Sequence, residues 1–204
     1  MEWLVERVVL FVPMLLSLAV HEWAHAWTAF RLGDDTAKHM GRMTLDPFAH
    51  VDPLGTIALP LLGIPVAWAK PVPVEPLRFR QDVSQRFGLL LVAAAGPLSN
   101  LVLALACAGA LAVLAGTALA GVLAQTVLLN VMLAAFNLLP VPPLDGSRVV
   151  DGVVPDALRP AWDQLQSTGY LGLAVVLVAP VLLGLDLFAW PRAWAEGLVA
   201  IAGG

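Results

Sequence analysis

Cysteine and charged residues are both scarce in this 204-residue chain, and each scarcity excludes a class of protein. It contains a single cysteine, Cys107, so a framework of internal disulfides is excluded. Charged side chains make up only 13% of the residues, which is about half the share usual in soluble proteins. The net charge of −4 is spread along the chain, and no nucleic-acid partner is expected. The N-terminus also lacks the basic region that begins a signal peptide, so we expect the first apolar segment to stay in the mature protein.

Apolar residues, by contrast, make up 59% of the chain. A helix needs about 20 mostly apolar residues to cross the hydrocarbon core of a bilayer, and four segments are predicted to do so. These predicted spans are residues 8–30, 87–116, 119–139 and 170–189. A shorter apolar segment, residues 54–68, is broken by glycines and prolines, which favours a re-entrant loop. We therefore expect an all-α polytopic membrane protein with one integral-membrane domain over residues 1–204.

The lysine and arginine residues indicate how the chain is oriented, because they accumulate in cytoplasmic loops. If residues 54–68 return to the side that they left, nine of the eleven basic residues lie on one face of the membrane. If that segment crossed, the basic residues would divide almost evenly between the two faces. The first arrangement is favoured, and it places the N-terminus outside.

Three ionisable residues interrupt the first predicted span, in the motif HEWAH at His21, Glu22 and His25. Residues i and i+4 lie on one face of a helix, so both imidazoles can reach one ion. Zinc is the expected ion, and a catalytic zinc site has three protein ligands and a position for water. Glu22 can accept a proton from that water. Ionisable groups are costly inside a membrane, and a bound metal would offset that cost.

Two histidines make an incomplete zinc site, so a third ligand is expected elsewhere in the chain. The candidates are His39, Asp46, His50, Asp52, Asp145 and Asp186. Asp145 is favoured because it follows the sequence FNLLPVPPL, whose prolines cannot continue a helix and so force the backbone to unwind at membrane depth. If residues 54–68 are re-entrant, the parity of the spans also brings Asp145 to the inner side, where the two histidines lie.

These motifs resemble the site-2 protease family of intramembrane zinc metalloproteases. The resemblance rests on HEWAH, on AAGPLSN at residues 94–100 and on FNLLPVPPLDGSR at residues 136–148, and it covers residues 15–150. It implies hydrolysis of peptide bonds in or near transmembrane segments, as in regulated intramembrane proteolysis. The implied partners are a transmembrane protein or peptide substrate and the lipid bilayer. The implied location is a bacterial-type cell membrane, crossed several times, with the active site towards the cytoplasm.

The resemblance also assigns roles to particular residues. It implies that His21, His25 and Asp145 hold one Zn²⁺ and that Glu22 is the general base. The chain resembles compact members that lack a PDZ domain, so we expect substrates to be selected without one.

Less specific roles follow from the same resemblance. Asn100 and Asn137 are candidates for contacts with the substrate or the developing oxyanion, although either could instead bond freed backbone groups between helices. Residues 41–57 resemble a membrane-inserted β-hairpin that presents substrate as an added strand.

Two other classes of protein share part of this pattern. Prenyl-protein-processing proteases also use HExxH but take a glutamate ligand from a later helix, and here Glu196 is the sole glutamate after residue 150. A membrane metal-binding or transport protein could use the same three ligands without catalysis. Only the first of these two alternatives is disfavoured by the sequence itself.

Overall fold

Helices are the regular secondary structure in the part of the chain that the computed structural model describes, residues 2–58, 62 and 68–203. Its α-helices are α1 (Glu2–Leu32), α2 (Thr36–His39), α3 (Gln85–Leu114), α4 (Ala120–Asn137), α5 (Asp145–Val153), α6 (Arg159–Ser167), α7 (Tyr170–Leu182) and α8 (Ala189–Gly203). Short 3-10 turns occur at Pro47–His50, Pro76–Arg78 and Asp156–Leu158, and a π-helical turn at Pro53–Ala58. Those described residues contain no β-strand.

The long apolar helices fit a membrane protein. Helices α3 and α4 are long and apolar enough to cross a bilayer, and a third crossing is counted if Asp156–Ser167 and Tyr170–Leu182, bent by 86°, form one broken span. Helix α1 has 31 residues, which corresponds to about 46 Å at 1.5 Å per residue. The structure thus supports two or three spans on length and composition, and four full spans remain a prediction.

The predicted last span, residues 170–189, is not one continuous helix. Helix α7 ends at Leu182 after 13 residues, a length of about 20 Å. Gly184 adopts a φ of +70°, and the backbone N–H of Leu185 donates to the Pro180 carbonyl over 2.8 Å, which closes the helix end. Composition alone predicts a longer span because the apolar residues continue beyond this turn.

The β-hairpin expected over residues 41–57 is not formed. Short helical turns occupy part of this segment, beginning at Pro47 and Pro53, which have no N–H for a strand ladder. The side chains of Asp46 and Asp52 accept hydrogen bonds from backbone N–H groups at the start of these turns. Local bonds of this kind satisfy the backbone without a partner strand.

The predicted re-entrant segment, residues 54–68, lies largely outside the described residues. Its two described ends contact each other: the backbone N–H of Trp68 donates to the Gly55 carbonyl over 3.3 Å, and the Thr56 hydroxyl donates to the Trp68 carbonyl over 2.7 Å. The segment therefore begins and ends at neighbouring positions.

Helix α3 is the central helix of the bundle and packs against α1, α4, α5 and α8. Small residues such as Ala93, Gly96, Ala104 and Ala108 are buried along it, and they let neighbouring helices approach closely. The HEWAH segment of α1 meets α3 at Gly96, and α5 meets α3 where Gly152 lies against Leu90. The side chains that carry chemistry are thereby brought to one place.

Candidate metal centre

The two motif histidines of α1 point to a common position. They stand one turn apart on the same face of the helix, and their Nε2 atoms are 3.0 Å apart. Both side chains are buried, with His21 5% and His25 8% exposed. Two imidazole nitrogens this close need a proton or a cation between them, because their lone pairs repel each other.

Asp145 completes this group from the opposite end of the sequence. It is the first residue of α5, directly after the proline-rich break that ends α4. Its Oδ2 atom lies 3.2 Å from Nε2 of His21 and 3.2 Å from Nε2 of His25. The same Oδ2 atom is buried and makes no hydrogen bond of its own. Among the residues described, these three side chains are the one group of three or more potential ligands close enough to hold a metal ion.

The outer nitrogens of the imidazoles fix their protonation. Nδ1 of His21 lies 2.6 Å from the Asn100 side-chain carbonyl oxygen, and Nδ1 of His25 lies 2.7 Å from the Val92 backbone carbonyl. Each Nδ1 must therefore carry the hydrogen and donate it. In the neutral imidazoles each Nε2 then presents a lone pair towards the Asp145 carboxylate, so three acceptor atoms converge on one point.

A zinc ion fits this arrangement. Tetrahedral zinc with bonds of 2.0 to 2.1 Å holds its ligand atoms about 3.3 Å apart, and the three separations here are 3.0, 3.2 and 3.2 Å. Gly96 of α3 makes room for the pair of imidazoles, since an added Cβ would overlap both of them. The donor set of two histidines and one carboxylate is one that catalytic zinc uses.

Glu22, the remaining ionisable residue of the motif, is held outside this group. Its side chain is 8% exposed, and its Oε2 atom accepts a hydrogen bond from the backbone N–H of Val72 over 2.9 Å. Val72 lies between Pro71 and Pro73, which have no N–H, so it is the one backbone donor of this tripeptide. Glu22 is thus oriented by a segment far from it in sequence.

Two further charged residues fix the backbone of residues 70–75, the segment that contains Val72. Arg42 donates to the carbonyl oxygen of Lys70 over 2.6 Å, and the Asp34 carboxylate accepts from the N–H of Glu75 over 2.6 Å. Both charged side chains are buried. This segment is therefore anchored on both sides of the contact with Glu22.

The other candidates for a third ligand have partners elsewhere. Asp46 and Asp52 cap turns, as described above, and His39 is exposed and pairs with an aspartate one turn earlier. Nε2 of His50 donates to a backbone carbonyl of its own loop, and Asp186 pairs with an arginine of α8. None of them lies in the group formed by the motif histidines.

The two asparagines singled out by the resemblance occupy different environments. Asn100 is fully buried and bonded to His21, so it faces a histidine and not an open cleft. Asn137 is half-buried, and its amide donates to the Leu133 carbonyl one turn earlier over 3.0 Å. The sequence reasoning missed Asn130, which is fully buried and donates to Ser17 over 2.9 Å. The signal for it was an amide in the middle of an apolar span.

Known proteins with similar sequences are zinc metalloproteases by name. The profile described as peptidase family M50 matches residues 115–180. A protein of Bacillus subtilis (strain 168), provisionally named zinc metalloprotease YwhC, is 40% identical over 182 residues, which is 84% of this chain and 81% of that protein. Provisionally named zinc metalloproteases Rip2 are 32% identical in Mycolicibacterium smegmatis (82% of this chain, 66% of that protein) and 30% identical in Mycobacterium tuberculosis H37Rv (87% and 69%). No solved structure matches the chain significantly.

Proposed function

The chain belongs to peptidase family M50 and is a zinc metalloendopeptidase, and we propose that it hydrolyses peptide bonds in or near transmembrane segments of other membrane proteins. The predicted enzyme class and the zinc cofactor are confirmed by this membership. The proposal adds the place of the reaction, within the membrane, and its use in regulated intramembrane proteolysis. The substrate would be a transmembrane protein or peptide that reaches the site from the lipid bilayer.

One observation carries this proposal, namely a zinc-sized group of donors buried among apolar helices. His21 and His25 are supplied by α1 and packed against α3, and α3 is long and apolar enough to cross a bilayer. A metal group built on the face of such a helix suits a substrate that is itself a membrane span. Ionisable groups are rare in spans and mark functional sites where they occur.

The proposed roles follow from the contacts. His21, His25 and Asp145 would hold the zinc ion. When bound, zinc supplies Lewis acidity to a water molecule and to the scissile carbonyl. Glu22 accepts the proton of the attacking water and later donates it to the leaving amine. Because Val72 holds Oε2 of Glu22, Oε1 is the oxygen left to carry that proton.

Asn137 is the second asparagine of the resemblance and is proposed to meet the substrate. It is half-buried near the end of α4, before the proline-rich break that leads to Asp145. Its amide nitrogen bonds within its own helix, which leaves its carbonyl oxygen for a substrate N–H. A substrate helix must unwind before its carbonyl can react, and its freed N–H groups then need acceptors of this kind.

The proposed topology has four spans and a re-entrant segment, with the active site towards the cytoplasm in a multi-pass cell-membrane protein. The adjacent ends of residues 54–68 support a segment that returns to the side it left. The distribution of basic residues supports the same arrangement, since the loops that follow α1 and α4 then share the positively charged, cytoplasmic face.

The proposed reaction is tested with Glu22→Gln, which keeps the size of the side chain but removes the base. The matched control is Glu196→Gln, an exposed glutamate of α8. Both purified variants should contain one zinc per chain by elemental analysis. In liposomes, the control should cleave a single-span substrate normally, whereas Glu22→Gln should be slower by a factor of about 10² to 10⁴, the usual contribution of a general base. Undiminished cleavage by Glu22→Gln would refute the mechanism.

A further inference from the structure

A chain of buried hydrogen bonds runs from the proposed zinc ligand His21 to helix α4. Nδ1 of His21 donates to Oδ1 of Asn100 over 2.6 Å, Nδ2 of Asn100 donates to Oδ1 of Asn130 over 2.8 Å, and Nδ2 of Asn130 donates to Oγ of Ser17 over 2.9 Å. We propose that Asn130 is a positioning residue that acts through Asn100 to fix which nitrogen of His21 carries the proton. The proposal rests on the proposed role of His21 as a zinc ligand.

The Ser17 end of this chain determines which group donates and which accepts in each hydrogen bond. The Ser17 hydroxyl donates to the Pro13 carbonyl over 2.7 Å, so its oxygen accepts from Asn130. The second hydrogen of the Asn130 amide donates to the Thr126 carbonyl over 2.9 Å. Both donors of Asn130 are thereby used, and its oxygen must face Asn100 as an acceptor.

The Asn130 oxygen is the nearer of the two acceptors that orient the Asn100 amide. An asparagine amide can rotate by 180° and present either a donor or an acceptor to its neighbour. The NH₂ of Asn100 faces Oδ1 of Asn130 at 2.8 Å and, at a longer 3.4 Å, the Ser17 backbone carbonyl, so its own Oδ1 faces His21. If Asn100 were reversed, it would offer a donor to His21, Nδ1 would become the acceptor, and Nε2 would carry the hydrogen where a metal has to bind.

The second histidine of the site, His25, has no counterpart of Asn130, because the acceptor at its Nδ1 is of a different kind. His25 donates to a backbone carbonyl, that of Val92, and a backbone carbonyl is always an acceptor. His21 instead relies on a side-chain amide, which has no fixed direction by itself. A second, fully directed amide removes that ambiguity.

Burial raises the free-energy cost of reversing any of these amides. Ser17, Asn100 and Asn130 each have 0% exposed surface, so water cannot replace a lost partner. A buried polar group without a partner costs about 1 to 3 kcal/mol, and a reversed amide would face donor against donor and acceptor against acceptor. The arrangement shown by the structure leaves no such mismatch along the chain.

The test compares Asn130→Leu with Asn130→Asp by zinc retention against a competing chelator, using the purified full-length enzyme in detergent. Leucine removes the nearer acceptor for Asn100 and leaves the Ser17 backbone carbonyl at 3.4 Å. We therefore expect zinc to dissociate about tenfold more readily, the lower end of the usual effect of outer-shell partners. Aspartate keeps an acceptor for Asn100 and should retain zinc better than leucine. A buried charge lowers stability more than a buried leucine does, so aspartate should give the lower melting temperature.

A positioning role predicts that aspartate retains zinc better than leucine, whereas the melting temperatures of the two variants should have the opposite order. This difference separates a positioning role from a purely structural one. If zinc retention followed the melting temperature, with leucine better than aspartate, Asn130 would only hold helices together and the proposal would be wrong. Gln125→Leu, which removes an exposed amide from the same helix, is the matched control and should leave zinc retention unchanged. In an Asn100→Ala background, Asn130→Leu should have no further effect on zinc, and an additive loss would overturn the proposed route through Asn100.

Failure of this proposal is distinguishable from failure of the zinc site itself. His21→Ala should reduce zinc content whether or not Asn130 has a positioning role. If zinc stayed at full occupancy in His21→Ala, the proposed ligand set would be wrong. If His21→Ala lost zinc while Asn130→Leu kept wild-type retention, only the positioning role would be refuted.

Discussion

Replacing Gly96 with alanine should disturb the proposed metal centre through a single methyl group. An alanine Cβ at this position would lie 2.6 Å from Cε1 of His21 and would overlap the His25 ring as well. Ordinary van der Waals contact of a Cβ begins at 3.4 Å, so the His21 ring would have to move by about 0.8 Å. Neither imidazole can swing aside without weakening its Nδ1 hydrogen bond to Asn100 or Val92.

The expected effect is larger on zinc than on folding. Alanine is favoured over glycine inside a helix by about 1 kcal/mol, and overpacking costs about 1 to 3 kcal/mol, so the net loss of stability should be at most about 2 kcal/mol. Zinc sites tolerate deviations of only about 0.2 Å in their bond lengths, and a displacement of this size exceeds that tolerance severalfold. We therefore expect at least a tenfold loss of zinc affinity.

Gly109→Ala provides the matched control for this experiment. Gly109 lies on the same helix, and an added Cβ there meets no atom within 4 Å. The two variants should be compared by chelator competition, by melting temperature and by cleavage of a single-span substrate. Gly109→Ala should keep zinc and activity and melt no lower than the parent. Wild-type zinc affinity in Gly96→Ala would show that the imidazoles do not occupy the positions on which the proposed site depends.

Three further predictions concern the ligand set, the general base and the topology. Asp145→Asn should reduce zinc to well below one per chain by elemental analysis, and full occupancy would remove Asp145 from the proposed ligands. Val72→Pro removes the N–H that orients Glu22 and should slow cleavage about tenfold with zinc content unchanged. The control Val74→Pro should have little effect. Equal losses of activity in the two variants would show that any proline in this segment disturbs the enzyme. Cysteines introduced singly at Leu54 and Lys70 in a cysteine-free background should react with a membrane-impermeant reagent from the same side, and labelling from opposite sides would contradict a re-entrant segment.

Much of the fold and of the site can be predicted from the sequence because both depend on strong local signals. Long apolar segments predict α3 and α4, and the spacing of HEWAH predicts that two imidazoles share one helix face. Span parity predicts that Asp145 meets them, and the structure brings the three side chains together. That they bind zinc as a set remains a prediction, although the family and the cofactor are now known.

The predictions that differ from the structure concern segments where short local hydrogen bonds decide the backbone, against what composition or the resemblance predicts. Apolar residues run past Leu182, yet a glycine turn ends the helix there. Residues 41–57 were expected to form a hairpin by resemblance, but aspartate side chains cap short turns around Pro47 and Pro53. Such turns depend on one or two hydrogen bonds, which a pattern of hydrophobicity does not register.

The surroundings of the proposed metal centre depend on contacts between helices, and this is why the sequence alone did not identify the roles of Asn130 and Gly96. The cost of an amide at Asn130 can be seen in the sequence, since the neighbouring residues are apolar, but the partner that offsets this cost lies on another helix. Gly96 likewise matters only because two imidazoles from α1 rest against it. The donors can thus be predicted from a motif, whereas the residues that orient them become visible only when three helices are packed. Since outer-shell partners change metal affinity by about 10- to 100-fold, the packing of α1, α3 and α4 is part of the chemistry of the site as well as of its support.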